Sequence, residues 1–391
     1  MPDDIGISPK DDIASIFNTS GCTGLPKGAV HTHYSIISLL CHARGLMGHG
    51  ALFTQMPNFL AGTLLCITHC IWKGYSYLSL SRFTPDTFFD YLEKYKPGSI
   101  FLFGFMVNWF SHAPEVNSRD LSYIERITIG GSFLDVASTK ALASNFPQAK
   151  IIQLFGISEA LYIAGTEVAE GEVENIVENS EKAIMVKGIK SVIIDGDYCL
   201  TTGKLLPSVE VKIVDVNTGV ELGPLEKGEM LVKNHYMMKG YITSDLKERC
   251  KSGLDADGWF HSGDLVACDH AGNIYPFDRT AHTFNYCGHQ IVPMEIEAVL
   301  AQHPAVLSSC VVGIPDPEAK SLTRAYVILR PGEENQGVTA DDLIAFVKDK
   351  VAPHKQLHGG LKFVTHLPMK RCILLDRAAL LKQILNEDIV S

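Results

Sequence analysis

The sequence has no apolar run approaching the roughly 20 residues of a membrane-spanning helix. Its apolar stretch 60–72 is too short and holds Thr63, Thr68 and His69. It also has no block of positive charge: 34 Lys and Arg stand against 44 Asp and Glu, a formal net charge of −10. That balance argues against nucleic acid as a partner, which needs a positive footprint, and against an anionic membrane surface. The ten cysteines form no Cys-x-x-Cys pair. They read as thiols of a reducing compartment, with neither a disulfide framework nor a zinc site. The opening Met1-Pro2-Asp3-Asp4 is acidic and unlike a signal peptide. The closing Asp388-Ile389-Val390-Ser391 is not a Ser-Lys-Leu peroxisomal address. The expectation is a cytoplasmic protein without a membrane span, its oligomeric state left open.

What is present is an ordinary globular composition, 46% hydrophobic and 20% charged, spread over 391 residues, too many for one core. Apolar Ile13 to Phe17 reads as a strand, and behind it comes Thr19-Ser20-Gly21-Cys22-Thr23-Gly24-Leu25-Pro26-Lys27-Gly28. Glycines let successive backbone N–H groups turn toward an anion, hydroxyls add donors and a lysine adds charge. This is a phosphate loop by composition. It is not a Walker A loop, because no glycine directly precedes Lys27 and no Ser or Thr follows it. By composition it can equally be a plain Gly/Ser turn.

Downstream, apolar runs alternate with helical patterns. Ser99 to Phe103, Ile127 to Gly131 and Ile151 to Gly156 read as buried strands, with helices near 85–96 and 135–145. Such alternation implies a parallel sheet with ligands at the carboxyl ends of its strands. Residues 167–200 break this pattern: Glu167 to Lys182 is acidic, lacks a strong period and reads as a surface insertion, while 207–278 reads as a β-rich subdomain of short strands. After Asp278-Arg279 the pattern becomes α+β, with helices at 293–302 and about 340–351, strands at 308–312 and 323–329, and a last strand at 361–364. The predicted division is 1–278 and a mobile domain 279–391.

The loop at 19–28 resembles the phosphate-binding signature of the adenylate-forming superfamily: acyl-CoA synthetases, 4-coumarate–CoA ligases and beetle luciferases. Cys22 replaces a usual threonine, and Val30-His31-Thr32-His33 also fits. Further motifs recur in family order over nearly the whole chain. The family's loop lies well inside its chain, so the resemblance implies an α/β large domain lacking its N-terminal part. It also implies a small α+β C-terminal domain.

Each motif carries an implied role beside a plainer alternative. Phe155-Gly156-Ile157-Ser158-Glu159 resembles the family's Tyr-Gly-x-Thr-Glu, in which the ring stacks on adenine, the hydroxyl touches phosphate and the carboxylate holds Mg²⁺. The plain alternative is a strand end with a helix N-cap at Ser158. Gly130-Gly131-Ser132 matches a Gly-Gly loop at the acyl and adenine pocket. Gly258-Trp259-Phe260-His261-Ser262-Gly263-Asp264 matches the motif whose aspartate accepts both ribose hydroxyls; the alternative is an Asp in a Gly-bounded turn. Lys227-Gly228-Glu229 and Lys239-Gly240-Tyr241 fit as well. Asp278-Arg279 matches the interdomain hinge, whose arginine reaches the ribose. Lys27, Ser158 and Glu159 are therefore the implied catalytic residues, with Glu159 on the metal. ATP or AMP, Mg²⁺, coenzyme A and a small carboxylic acid are the implied cofactors and partners.

The departures fall at reactive positions. Ala281 and Asn285 stand where lysines are usual, Leu60 where an acyl-pocket histidine is common, and Leu374 where the adenylation lysine belongs, preceded by Ile373 instead of glycine. Lys370 and Arg371 lie four and three residues before Leu374. The family reaction is activation of a carboxylic acid as its acyl-adenylate and transfer to coenzyme A. The alternatives are a nucleotide-binding pseudoenzyme and a truncated, non-functional relative. By family, a peroxisomal location competes with the cytoplasmic one.

Overall fold

The structure is a computed structural model. It describes residues 6–19, 27–42, 50–57, 60–80, 83–131, 134, 136–166, 177–179, 183–186, 189–194, 197–242, 250–251, 253–330, 332, 337–370 and 374–390. By its internal contacts the chain divides into two compact units. One is Met1–Ile194 with Tyr198–Pro276; the other is Phe277–Ser391 with Asp195–Asp197.

The first unit is built on a seven-stranded sheet. Strands Tyr77–Ser79, Leu52–Thr54, Ser99–Phe103, Arg126–Gly130 and Lys150–Ile157 run parallel. Leu161–Gly165 and Lys204–Leu205 then continue the sheet antiparallel. Helices Pro85–Tyr95, Gly104–His112 and Val136–Asn145 supply the crossovers that parallel strands require. The Pro85–Tyr95 helix starts where the sequence says it should. Thr84 accepts from the Thr87 N–H, Thr87 returns the bond, and Pro85 occupies the first turn. Its inward face, Phe88, Phe89 and Leu92, is fully buried with Ile100, Leu102, Phe110 and Phe146. Burying each such side chain contributes about 1.5–3 kcal/mol, so this aromatic layer is the main brace of the sheet.

A second sheet joins Ile13–Asn18, Gly28–Thr32, Gly240–Ile242 and Cys250–Lys251. A third joins Val209–Val214, Gly228–Asn234, Phe260–Cys268 and Ile274–Arg279, the β-rich region expected at 207–278. Of the surface insertion expected at 167–182, residues 177–179 are described and form a strand. Short strands Val177–Asn179, Ala183–Val186, Ile189–Ile194 and Asp197–Leu200 form a sheet, and Ile189 and Leu200 enter the main core. The acidic part, 167–176, lies outside the described residues.

The second unit pairs Val306–Asp316 with Lys320–Leu329 as a long hairpin and adds Leu361–Phe363 in parallel. Helices Pro293–Leu300 and Ala340–Lys348 bury Ile296, Leu300, Leu343 and Val347 against one face. A C-terminal helix, Arg377–Val390, not expected from sequence, packs Leu380 and Ile384 on the other. Among the described residues no helix is long and apolar enough to cross a membrane.

Candidate functional site

The phosphate loop leaves and rejoins one antiparallel pair. Ile13–Asn18 is zipped to Gly28–Thr32, and Thr19 closes the neck: its N–H donates to the Lys27 carbonyl at 2.8 Å, and its Oγ1 accepts from the Lys27 N–H at 3.3 Å. Ser20, Gly21, Thr23 and Gly24, with Cys22, lie outside the described residues.

Ser158 and Glu159 sit in a tight turn between Lys150–Ile157 and Leu161–Gly165. The helix N-cap alternative for Ser158 therefore fails, because an antiparallel strand follows, not a helix. Gly156 is required for packing: a Cβ there would stand 2.2 Å from the Leu161 carbonyl oxygen. Leu161, buried at the end of the turn, takes φ +57°. A branched side chain rarely adopts that value, and it stores strain of about 1–3 kcal/mol at such a site.

What holds this turn comes from far along the chain. His31 is fully buried, with Nε2 2.8 Å from the Ser158 carbonyl and Nδ1 3.2 Å from the Ser35 hydroxyl. Burial pushes its pKa from 6.5 down to about 4, against a smaller upward pull from the Ser158 carbonyl. The imidazole is thus neutral at pH 7, and its Nε2–H donates to Ser158. On the other side the Tyr241 hydroxyl donates to Glu159 Oε1 at 2.8 Å. The Met238 N–H donates to the Glu159 carbonyl at 2.8 Å, Asn234 Nδ2 to the Ala160 carbonyl and Tyr236 to the Tyr162 carbonyl. Lys27 Nζ lies 5.0 Å from the centroid of the Tyr241 ring, a cation–π distance. Lys27, Ser158 and Glu159 are thus assembled around Tyr241 and His31.

Gly130 ends the neighbouring strand. A Cβ on it would be 2.9 Å from Phe101 Cζ and 3.5 Å from the Leu154 carbonyl, whereas one on Gly131 would stand 2.8 Å from the Phe103 ring. Phe155 is buried in its strand. Asp264 is 1% exposed and sits where the third sheet bulges. Pairing jumps from Glu229↔Leu265 to Leu231↔His261, so 262–264 form the extra length. Bulges re-aim side chains. Here Glu229 pins the bulge by accepting from the Gly263 N–H at 3.2 Å, while the Asp264 N–H donates to the Ser262 hydroxyl at 3.0 Å.

Residues 2–242 match the family model of the AMP-binding enzyme, and 295–372 that of the AMP-binding enzyme C-terminal domain. The chain belongs to the AMP-binding enzyme family. It is 30% identical over 370 residues to a luciferin 4-monooxygenase of Nipponoluciola cruciata, covering 93% of this chain and 62% of that one. It is 30% identical over 366 residues to the peroxisomal OPC-8:0-CoA ligase 1 of Arabidopsis thaliana, covering 92% and 62%. The chain thus spans less than two thirds of the length of these relatives. ATP-bound MatB from Rhodopseudomonas palustris superposes with a TM-score of 0.79 at 21% identity, over 96% of this chain and 69% of the other. The fold is that of the adenylate-forming enzymes.

Two of the implied site residues of this AMP-binding family member belong to the second unit. Arg279 follows Asp278, whose carboxylate accepts from the Arg279 N–H at 2.7 Å and contacts His282 Nδ1 at 2.8 Å. Leu374 lies directly opposite Lys370 in a two-residue ladder, Met369–Lys370 with Leu374–Leu375. Arg371 and Ile373 fall outside the described residues. Leu60 precedes the helix Ala61–Lys73 and accepts at its carbonyl from the Thr63 N–H at 3.1 Å. Sequence reasoning noted His31 and Tyr241 only as parts of fitting motifs and gave them no role. The signal was a histidine and a tyrosine inside those motifs.

Proposed function

We propose that this chain binds ATP and activates a carboxylic acid as its acyl-adenylate, passing the acyl group to the thiol of coenzyme A. The observation that carries the reading is the convergence of Lys27 and Glu159 on one phenol, beside the neck of a Gly/Ser/Thr loop. A cation and a carboxylate within one turn-and-loop site suit a metal-bound polyphosphate: the lysine and loop amides take phosphate oxygens. The carboxylate fits Mg²⁺, which keeps waters and phosphates as its remaining ligands.

In the first step a carboxylate oxygen of the acid attacks the α-phosphorus. That O–P bond forms, the bond to the bridging oxygen breaks, and pyrophosphate leaves with its electrons. In the second step the thiol sulfur attacks the acyl carbon, its proton passes to solvent, and AMP leaves as the mixed anhydride breaks. Mg²⁺, held by Glu159, would supply charge neutralisation to the polyphosphate. Lys27 orients the phosphates, Ser158 offers a hydroxyl to them, Asp264 fixes the ribose, and Phe155 with Gly130-Gly131 borders the base. By the hinge motif Asp278-Arg279, Arg279 is assigned a ribose contact as well. Similarity to CoA ligases favours coenzyme A as the acceptor. A nucleotide-binding protein without turnover is the second reading, favoured by Leu374 and Leu60.

Calorimetry with AMP tests the binding, and ATP–pyrophosphate exchange over a panel of acids tests the chemistry. Binding that Asp264→Ala weakens, with exchange for at least one acid, is expected. Binding without exchange selects the second reading, and no binding overturns both.

A further inference from the structure

We propose that Tyr241 is a positioning residue that keeps Lys27 and Glu159 apart and presents both charges to the magnesium-bound nucleotide. This rests on the nucleotide-binding reading above. Two opposite charges facing one phosphate site have an alternative to binding it, which is to bind each other. Tyr241 gives each a separate partner: its hydroxyl takes Glu159 Oε1 at 2.8 Å, and its ring face takes Lys27 Nζ at 5.0 Å.

The ring is itself fixed from both sides. Tyr241 pairs with Ala29 in the ladder to the strand leaving the phosphate loop, and the Lys239 N–H donates to the Val30 carbonyl at 2.7 Å. One residue earlier, the Met238 N–H holds the Glu159 carbonyl at 2.8 Å. The four residues 238–241 therefore bridge the loop strand and the carboxylate turn. A donor fixed on Oε1 also orients the second carboxylate oxygen.

The role acts through Glu159, and this separates it from a merely structural one. ATP binding is measured by calorimetry in excess Mg²⁺ and in EDTA for the unaltered chain, Tyr241→Phe, Glu159→Gln and the double variant. Tyr241→Phe keeps the ring and removes one oxygen. It is expected to weaken Mg·ATP about tenfold, the scale of a hydrogen bond to a charged group, and to change binding in EDTA less than about twofold. Glu159→Gln is expected to remove the magnesium advantage, and adding Tyr241→Phe to it to cost nothing further, the non-additivity of two residues acting as one. Equal weakening in Mg²⁺ and EDTA overturns the proposal, and so does an additive double variant. A Tyr241→Phe chain that loses its fold also overturns it, by making the hydroxyl a structural prop. Failure of the unaltered chain to bind ATP overturns the nucleotide reading and this inference together.

Discussion

Acid should loosen the first unit through His31. The imidazole titrates at about 6.5 in an unfolded chain and at about 4 when buried here. A histidine with a depressed pKa contributes full stability above the unfolded value and loses it as pH falls through the window from 6.5 to 4. At pH 4.5 the proton is bound by the unfolded ring far more than by the folded one. The linkage ratio, (1 + 10²)/(1 + 10^−0.5), corresponds to a loss of about 2.5 kcal/mol; at pH 7.5 the same ratio is close to unity. The perturbation is His31→Gln, which keeps an N–H able to reach the Ser158 carbonyl but does not titrate. The assay is urea unfolding followed by tryptophan fluorescence from pH 7.5 to 4.5. All three tryptophans, Trp72, Trp109 and Trp259, lie in the first unit, so the signal reports that unit alone. Other titrating groups affect both proteins and cancel in the difference. The unaltered chain should lose about 2.5 kcal/mol more than the variant across that range. Parallel pH profiles would refute the buried, neutral histidine.

Three further outcomes are expected. Arg377 Nη2 clamps both oxygens of Glu297, whose side chain is 13% exposed, at 2.7 and 2.5 Å, and the Val311 N–H adds a third bond to that carboxylate. Arg377→Met should therefore cost the second unit about 3–5 kcal/mol, read as faster hydrogen exchange at the Val311 amide, with Glu297→Gln recovering part of it. Limited proteolysis should cut near 276–279, where the chain passes between units, and release a stable C-terminal fragment; protection there would count against a mobile junction. Ile373→Gly with Leu374→Lys should raise single-turnover acyl-adenylate formation by roughly 10²-fold, the usual worth of a placed donor to developing charge. Fast adenylation by the unmodified loop would instead point to Lys370 or Arg371 as the working cation.

The parallel sheet was legible because its strands are continuous apolar runs, the pattern of strands buried on both faces. The short strands between 177 and 200 were not legible, because the stretch leading into them is dominated by charge. The residues that tie the region to the core, Ile189 and Leu200, are single apolar positions in short strands with no period to reveal them. The C-terminal helix was within reach of the sequence, since Leu380 and Ile384 stand four apart and are both buried.

The candidate site divides along the same physical line. Groups offered to a nucleotide lie in contiguous motifs, because a loop or turn must present several of them within a few ångströms, and contiguity makes them readable. The groups that hold those motifs in place are under no such constraint. His31 reaches Ser158 across 127 residues of chain and Tyr241 reaches Glu159 across 82. Only the fold brings them together, and no local pattern distinguishes a supporting histidine from a spare one. A site can therefore keep every motif and still fail if its supports are changed. The converse holds for Leu374: loss of one reagent leaves the frame around Lys27 and Glu159 untouched, because that frame lies wholly within the first unit. Under the proposed function, binding and turnover would be separable properties. A substitution at His31 or Tyr241 should act on the first, and one at 373–374 on the second.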